Sequence, residues 1–229
     1  MKETIAVDDI IRRLDDLEDP GAARGMARYG ISAAKVWGIR IPVLRALARE
    51  IGKNRDLALD LWQVNARETR ILAGMIDEPS LVTETQMDAW AGDFDSWEVC
   101  DQVIMCDFEK TPFAWEKAVE WSAEGREFVK RAGFVMMARL AVSDKKVPDE
   151  AFERFFPLII REASDNRNYV KKAVNWALRQ IGKRSRCLHA RAIAVAGEVN
   201  TADGPNAKWI ASDALRELTG GDVIARLRQ

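Results

Sequence analysis

Helical periodicity runs almost unbroken along these 229 residues, interrupted by short turns marked by proline, glycine or aspartate. That rhythm constrains the fold more than any single motif. Ile10, Ile11, Leu14 and Leu17 mark an amphipathic first helix, closed by a Pro20-Gly21 break. Gly38-Ile-Arg-Ile-Pro42 reads as a turn with Pro42 in the first positions of a helix, and Val43, Leu44, Leu47, Ala48 and Ile51 form that helix's apolar stripe. Further helices are predicted over 57–62, 66–75, 83–91, 96–108, 112–122, 127–140 and 168–183, with two more around 188–199 and 206–218. Val147-Pro148-Asp149 opens another, which Pro157 is expected to kink. No alternating apolar pattern runs beyond a few residues, so strands are not expected. About a dozen helices with short turns fit helix pairs of roughly 35–45 residues, the HEAT-like range. The predicted fold is all-α, a HEAT-like helical-repeat solenoid with a concave groove, forming one domain over 1–229; a compact helical bundle is the alternative.

Charge narrows the function. The chain holds 35 Lys and Arg against 36 Asp and Glu, an overall balance of −1, but the charges are not evenly spread. Residues 1–125 carry a net −9, residues 126–191 a net +9 and residues 192–229 a net −1. A basic segment of that kind suggests an anionic partner, unless the charges are solvated helix faces neutralised by neighbours. No apolar run approaches the roughly 20 residues of a spanning helix, and the N-terminus has no signal-peptide pattern, so no membrane partner and a cytoplasmic location are expected. Cys100, Cys106 and Cys187 form no Cys-x-x-Cys pair, and His189 is the single histidine. That set is too poor for an ordinary zinc site or a histidine-based triad, so no metal and no cofactor are expected.

Asp95-Ser-Trp-Glu-Val-Cys-Asp101 is the stretch with most chemical content. It reads as the start of a helix, with Asp95 as N-cap and Glu98 completing a capping box. Trp97 and Asp101 are four residues apart and share a helix face. An indole beside a carboxylate suits a site for a cationic group; a core Trp beside a surface Asp is the plainer reading. Arg131 follows Trp97 by 34 residues and Trp176 follows Arg131 by 45, each close to one repeat. Stacked repeats would bring all four to one groove, with Lys130, Lys171, Lys172, Lys183 and Arg184 adding phosphate-neutralising charge.

These residues carry a resemblance. Gly38-Ile-Arg-Ile-Pro-Val-Leu-Arg-Ala-Leu-Ala48, Leu61-Trp62 with Glu68-Thr-Arg70, Asp95 to Asp101, Phe128-Val-Lys-Arg-Ala132 and Val170 to Arg179 run in order across about 35–185. The combination resembles the AlkD-type DNA alkylation repair glycosylases, a HEAT-like repeat family. The resemblance implies a metal-free, monofunctional glycosylase that removes cationic alkylpurines, such as 3-methyladenine and 7-methylguanine, from double-stranded DNA. It implies an active cleft lined by Trp97, Asp101, Arg131 and Trp176, all intact here, and a monomer is expected. Catalytic members of the family usually carry a basic N-terminal helical element that grips the duplex; here the opening helix is acidic, with Asp8, Asp9, Asp15, Asp16, Glu18 and Asp19, although Arg24, Arg28, Lys35, Arg40 and Arg45 follow. A non-catalytic HEAT-like module that binds nucleic acid or protein is the second expectation, and a scaffold with buried tryptophans the third.

Overall fold

A computed structural model describes residues 5–31 and 35–228. Among them, every regular element is helical. The chain divides into two compact units, Met1–Pro112 and Phe113–Gln229. The first holds α1 (Val7–Asp16), α2 (Pro20–Ala27), α3 (Ile41–Ile51), α4 (Arg55–Gln63), α5 (Arg67–Ile76), α6 (Glu84–Gly92) and α7 (Trp97–Cys106), with a 3-10 turn at Phe108–Lys110. The second holds α8 (Ala114–Ser122), α9 (Glu127–Ser143), a 3-10 segment at Asp149–Phe155, α10 (Phe156–Glu162), α11 (Asn168–Gly182), α12 (Arg186–Thr201), α13 (Pro205–Leu218) and α14 (Gly221–Arg228).

The breaks in periodicity are capping sites. Side chains of Asp19, Asn54, Thr83, Ser96 and Ser185 accept hydrogen bonds from the free backbone amides of the helices they precede. Several sequence expectations are corrected in detail. Leu17 ends α1 and is 46% exposed, whereas Ile10 and Leu14 are buried. Val43 also faces outward, leaving Leu44 and Leu47 as the apolar contact of α3. Pro157 sits in the first turn of α10, where its missing amide costs no hydrogen bond, so it begins a helix instead of kinking one. The chain ends in three helices, α12 to α14, where two are predicted.

In the first unit α5 is the central helix, packing against α3, α4 and α7. It is buried on nearly all sides, including its polar residues Arg67, Glu68, Thr69 and Arg70. In the second unit α9 packs against both α8 and α11. Gly133 makes the α8 contact possible: a Cβ there would lie 2.5 Å from the Ser122 backbone nitrogen. Gly38 serves the turn before α3 in two ways. Its φ of +79° favours glycine, and a Cβ would meet the Asp19 carbonyl oxygen at 2.2 Å.

One buried group sets a pH dependence for the first unit. Asp107, at the C-cap of α7, is fully buried and neither carboxyl oxygen has a hydrogen-bond partner. Burial, and then the neighbouring Asp77 carboxylate, push its carboxyl up to about 8 from an ordinary 3.8. The folded state therefore holds a proton that the unfolded chain releases between those values. The stability that Asp107 contributes is greatest below pH 4, falls as pH rises towards 8, and levels off above it. Asp107→Asn removes the charge at every pH. It is expected to stabilise the protein by about 2–4 kcal/mol more at pH 8 than at pH 5. Urea unfolding at the two pH values checks this; an equal effect at both overturns it.

Candidate active site

The first half of the candidate site lies on α7. The N-cap of this helix is Ser96, whose hydroxyl accepts from the Val99 amide at 3.4 Å, and not Asp95 as the capping-box reading expects. Glu98 does not reach back to the cap. It accepts from Arg67 Nε at 2.7 Å, tying the first turn of α7 to the buried start of α5. Asp95 instead meets Arg70, whose Nη1 lies 3.4 Å from Oδ2 and 2.8 Å from the Asp93 carbonyl. These contacts fix the entry to α7 and hence the direction in which Trp97 and Asp101 project.

Trp97 is half-buried, and its indole Nε1 donates to the Tyr29 carbonyl at 2.9 Å. Asp101 lies one turn further on the same face and is 8% exposed. This is neither the fully buried tryptophan nor the solvent-facing aspartate that a plain scaffold predicts. The other tryptophans of this unit are structural. Trp37 and Trp62 are buried, and Trp62 stacks on Trp90 with ring centroids 4.0 Å apart.

Arg67 forms a buried charge cluster with the adjacent Glu68. Arg67 Nη1 donates to Glu68 Oε1 at 2.6 Å and to the Ile39 carbonyl at 2.9 Å. Glu68 in turn accepts from the Trp37 and Ile39 backbone amides, both at 3.1 Å. Burial works against the charge on Arg67, yet the Glu98 hydrogen bond and both carboxylates lift its pKa above the usual arginine range. The cluster binds the extended segment before α3, α5 and α7 into one piece.

In the second unit Arg131 is nearly buried on α9, and its Nη1 donates to the Tyr169 carbonyl at the start of α11 at 2.8 Å. Trp176 is half-buried, two helical turns along α11 from Tyr169 and on the same face. With the Gln180 amide turned to satisfy its neighbours, the oxygen accepts from Trp176 Nε1 at 2.9 Å.

The basic residues expected to meet phosphate divide into two sets. Lys172 is exposed, and Lys171 lies over the Trp209 ring at 4.9 Å. The others have internal partners. Lys130 is buried and ion-paired with Glu162 and Asp165. Lys183 pairs with Glu217 at 2.5 Å. Arg184 donates to the carbonyls of Ala141, Asp144 and Val147 and pairs with Asp149. Much of the positive balance of residues 126–191 therefore holds the second unit together.

The succession of short antiparallel helices is that of a HEAT-like repeat protein. The family model for DNA alkylation repair enzymes matches residues 10–218, and the chain belongs to that family. Among solved structures, one described as "a new family of proteins related to the HEAT-like repeat DNA glycosylases with affinity for branched DNA structures" is similar over 92% of this chain and 94% of its own. The TM-score is 0.75 at 21% sequence identity, a likeness of fold. No curated protein matches the sequence.

Proposed function

We propose that the protein is a DNA glycosylase that hydrolyses the N-glycosidic bond of N3- or N7-alkylated purines in double-stranded DNA. The observation that carries this reading is the Trp97–Asp101 pair, half-buried and nearly buried on an α7 whose first turn is held by Arg67 and Glu98. Alkylation at N3 or N7 puts a formal positive charge on the base, which makes it a good leaving group. Breaking the C1′–N bond develops oxocarbenium character on the sugar. A fixed carboxylate stabilises that charge without reorganising, the role assigned to Asp101, which also orients water towards C1′. The bond electrons leave with the base, neutralising it. Water adds to C1′ and loses a proton, so the product is an abasic site. Trp97 offers a π face to cationic groups, a contribution of about 0.5–2 kcal/mol. For Arg131 and Trp176 the family resemblance supplies the roles, a backbone phosphate contact and a second π face.

The test is release of methylated purine from a methylated duplex, read by chromatography together with alkali-labile abasic sites. Release with one abasic site per base supports the reading. Binding of the duplex without release overturns it. The similar structure described by its affinity for branched DNA favours a second reading, a DNA-binding protein without excision activity. The acidic first half favours it too. Preference for a four-way junction over a duplex, with no base released, would select that reading.

A further inference from the structure

The acidic first unit contains a cavity of about 630 Å³ whose charged lining is entirely cationic. Arg45 and Arg49 stand one turn apart on α3, Lys53 follows the end of that helix, and Lys110 closes the 3-10 turn after α7. The floor is uncharged: Pro42, Ala48, Met75, Met105 and the Cys106 thiol, which burial holds protonated by raising its pKa. The cavity is open to solvent, and its volume suits a small group docked from the surface.

The neighbouring carboxylates Asp77 and Asp107 offset this lining only in part. Among the described residues none forms an ion pair with Arg45, Arg49, Lys53 or Lys110. Glu50 pairs with Arg13 and Asp77 with Arg55, while Asp107 keeps its proton at neutral pH. Lys53 donates to the Met75 and Asp77 carbonyls and Lys110 to that of Cys106, so both ammonium groups are positioned by neutral acceptors. Desolvation and then the nearby Lys110 charge lower the Lys53 pKa, outweighing the opposing pull of Asp107, Asp77 and Cys106. The cavity also adjoins the α7 pair. Met105 lies one turn beyond Asp101, and Arg45 Nη2 is 3.5 Å from Oε1 of Gln102, the residue after Asp101.

We propose that this cavity takes one nucleotide unit of a DNA strand, its phosphate held by Arg45, Arg49, Lys53 and Lys110 and its sugar and base lying against Met75, Met105 and Pro42. The site answers the charge problem of the first half: an acidic unit grips DNA through one concentrated cationic pocket, not a basic surface. It rests on the reading that the protein handles DNA, but not on excision. A free nucleotide offers the same chemistry, and the test separates the two.

Fluorescence anisotropy of a labelled single-stranded oligonucleotide and of its duplex, across a salt series, reads the site. Arg45→Ser with Arg49→Ser is expected to weaken binding about 10-fold and flatten the log–log salt slope by roughly 1–2. Both side chains are exposed on α3, so the fold should tolerate the change. Ala48→Glu, placing a carboxylate in the cavity, should weaken binding at least as much. Arg12→Ser removes an exposed charge elsewhere in the unit, one paired with Asp9 on α1, and should change affinity less than about 2-fold. Competition by dAMP identifies a free nucleotide as a further occupant, and its failure to compete assigns the site to the strand alone. Unchanged affinity and slope in both cavity variants overturn the proposal, whatever the excision result. Lost excision with pocket-dependent binding intact overturns only the glycosylase reading.

Discussion

Asp101→Asn is expected to slow release of methylated purine by about 10²–10³-fold while leaving duplex affinity within about 2-fold of wild type. Asparagine keeps the size and the acceptor oxygen of the side chain but removes the charge. If Asp101 acts on the developing sugar cation, the loss falls on the transition state and not on DNA binding. Such a factor corresponds to about 2.7–4 kcal/mol, the usual size of one preorganised electrostatic contact. Single-turnover excision at saturating enzyme, beside duplex binding and a melting curve, separates the effects. A rate within about 3-fold of wild type removes Asp101 from the chemistry. A matching fall in affinity would make it a binding residue. Trp97→Ala is expected to cost less, about 2–30-fold, because a cation–π contact is worth only about 0.5–2 kcal/mol.

The position of Asp101 on its helix was legible in sequence, because spacing within one helix fixes a face whatever the helix packs against. Trp97 and Asp101 are four apart, and the helix over Trp97–Cys106 keeps them together. The apolar register of α11 was equally legible: Val170, Ala173, Val174, Ala177 and Ile181 are all fully buried. Helix ends were less so, since Asp95 and Ser96 are both competent caps and only Arg70, from another helix, decides between them. Charges were read least well. Nothing local to Lys130 reveals Glu162, and nothing local to Arg184 reveals the three carbonyls it satisfies. A lysine that meets phosphate and one that closes an internal ion pair look alike until the fold supplies the partner. The cationic cavity was hidden for the same reason. Arg45, Arg49 and Lys53 repeat every four residues, but Lys110 joins them only through the packing of α7 beside α3 and α5.

Arg67→Met is expected to destabilise the first unit by about 3–5 kcal/mol, more than any surface charge in the chain. The side chain is 1% exposed, and removing it leaves Glu68, fully buried, without its cationic partner. Many buried ion pairs can be replaced by apolar residues at little cost, because desolvation offsets their attraction. This one differs. Glu68 also accepts from the Trp37 and Ile39 amides, and Arg67 donates to the Ile39 carbonyl, so replacing both leaves backbone groups unsatisfied. Arg67→Met with Glu68→Met should therefore not restore stability, whereas a simple salt bridge would be rescued. The consequence reaches the candidate site. Without Arg67 the first turn of α7 loses its tie through Glu98, and the Trp97 face loses its fixed direction. Urea unfolding measures the stability change, a shift in midpoint at unchanged slope marking lost stability without altered compactness. Glu98→Gln tests the tie alone: it keeps an acceptor for Arg67, should cost about 1 kcal/mol, and should slow excision more than its effect on stability accounts for. Full rescue by the double methionine variant would reduce the cluster to an ordinary buried ion pair.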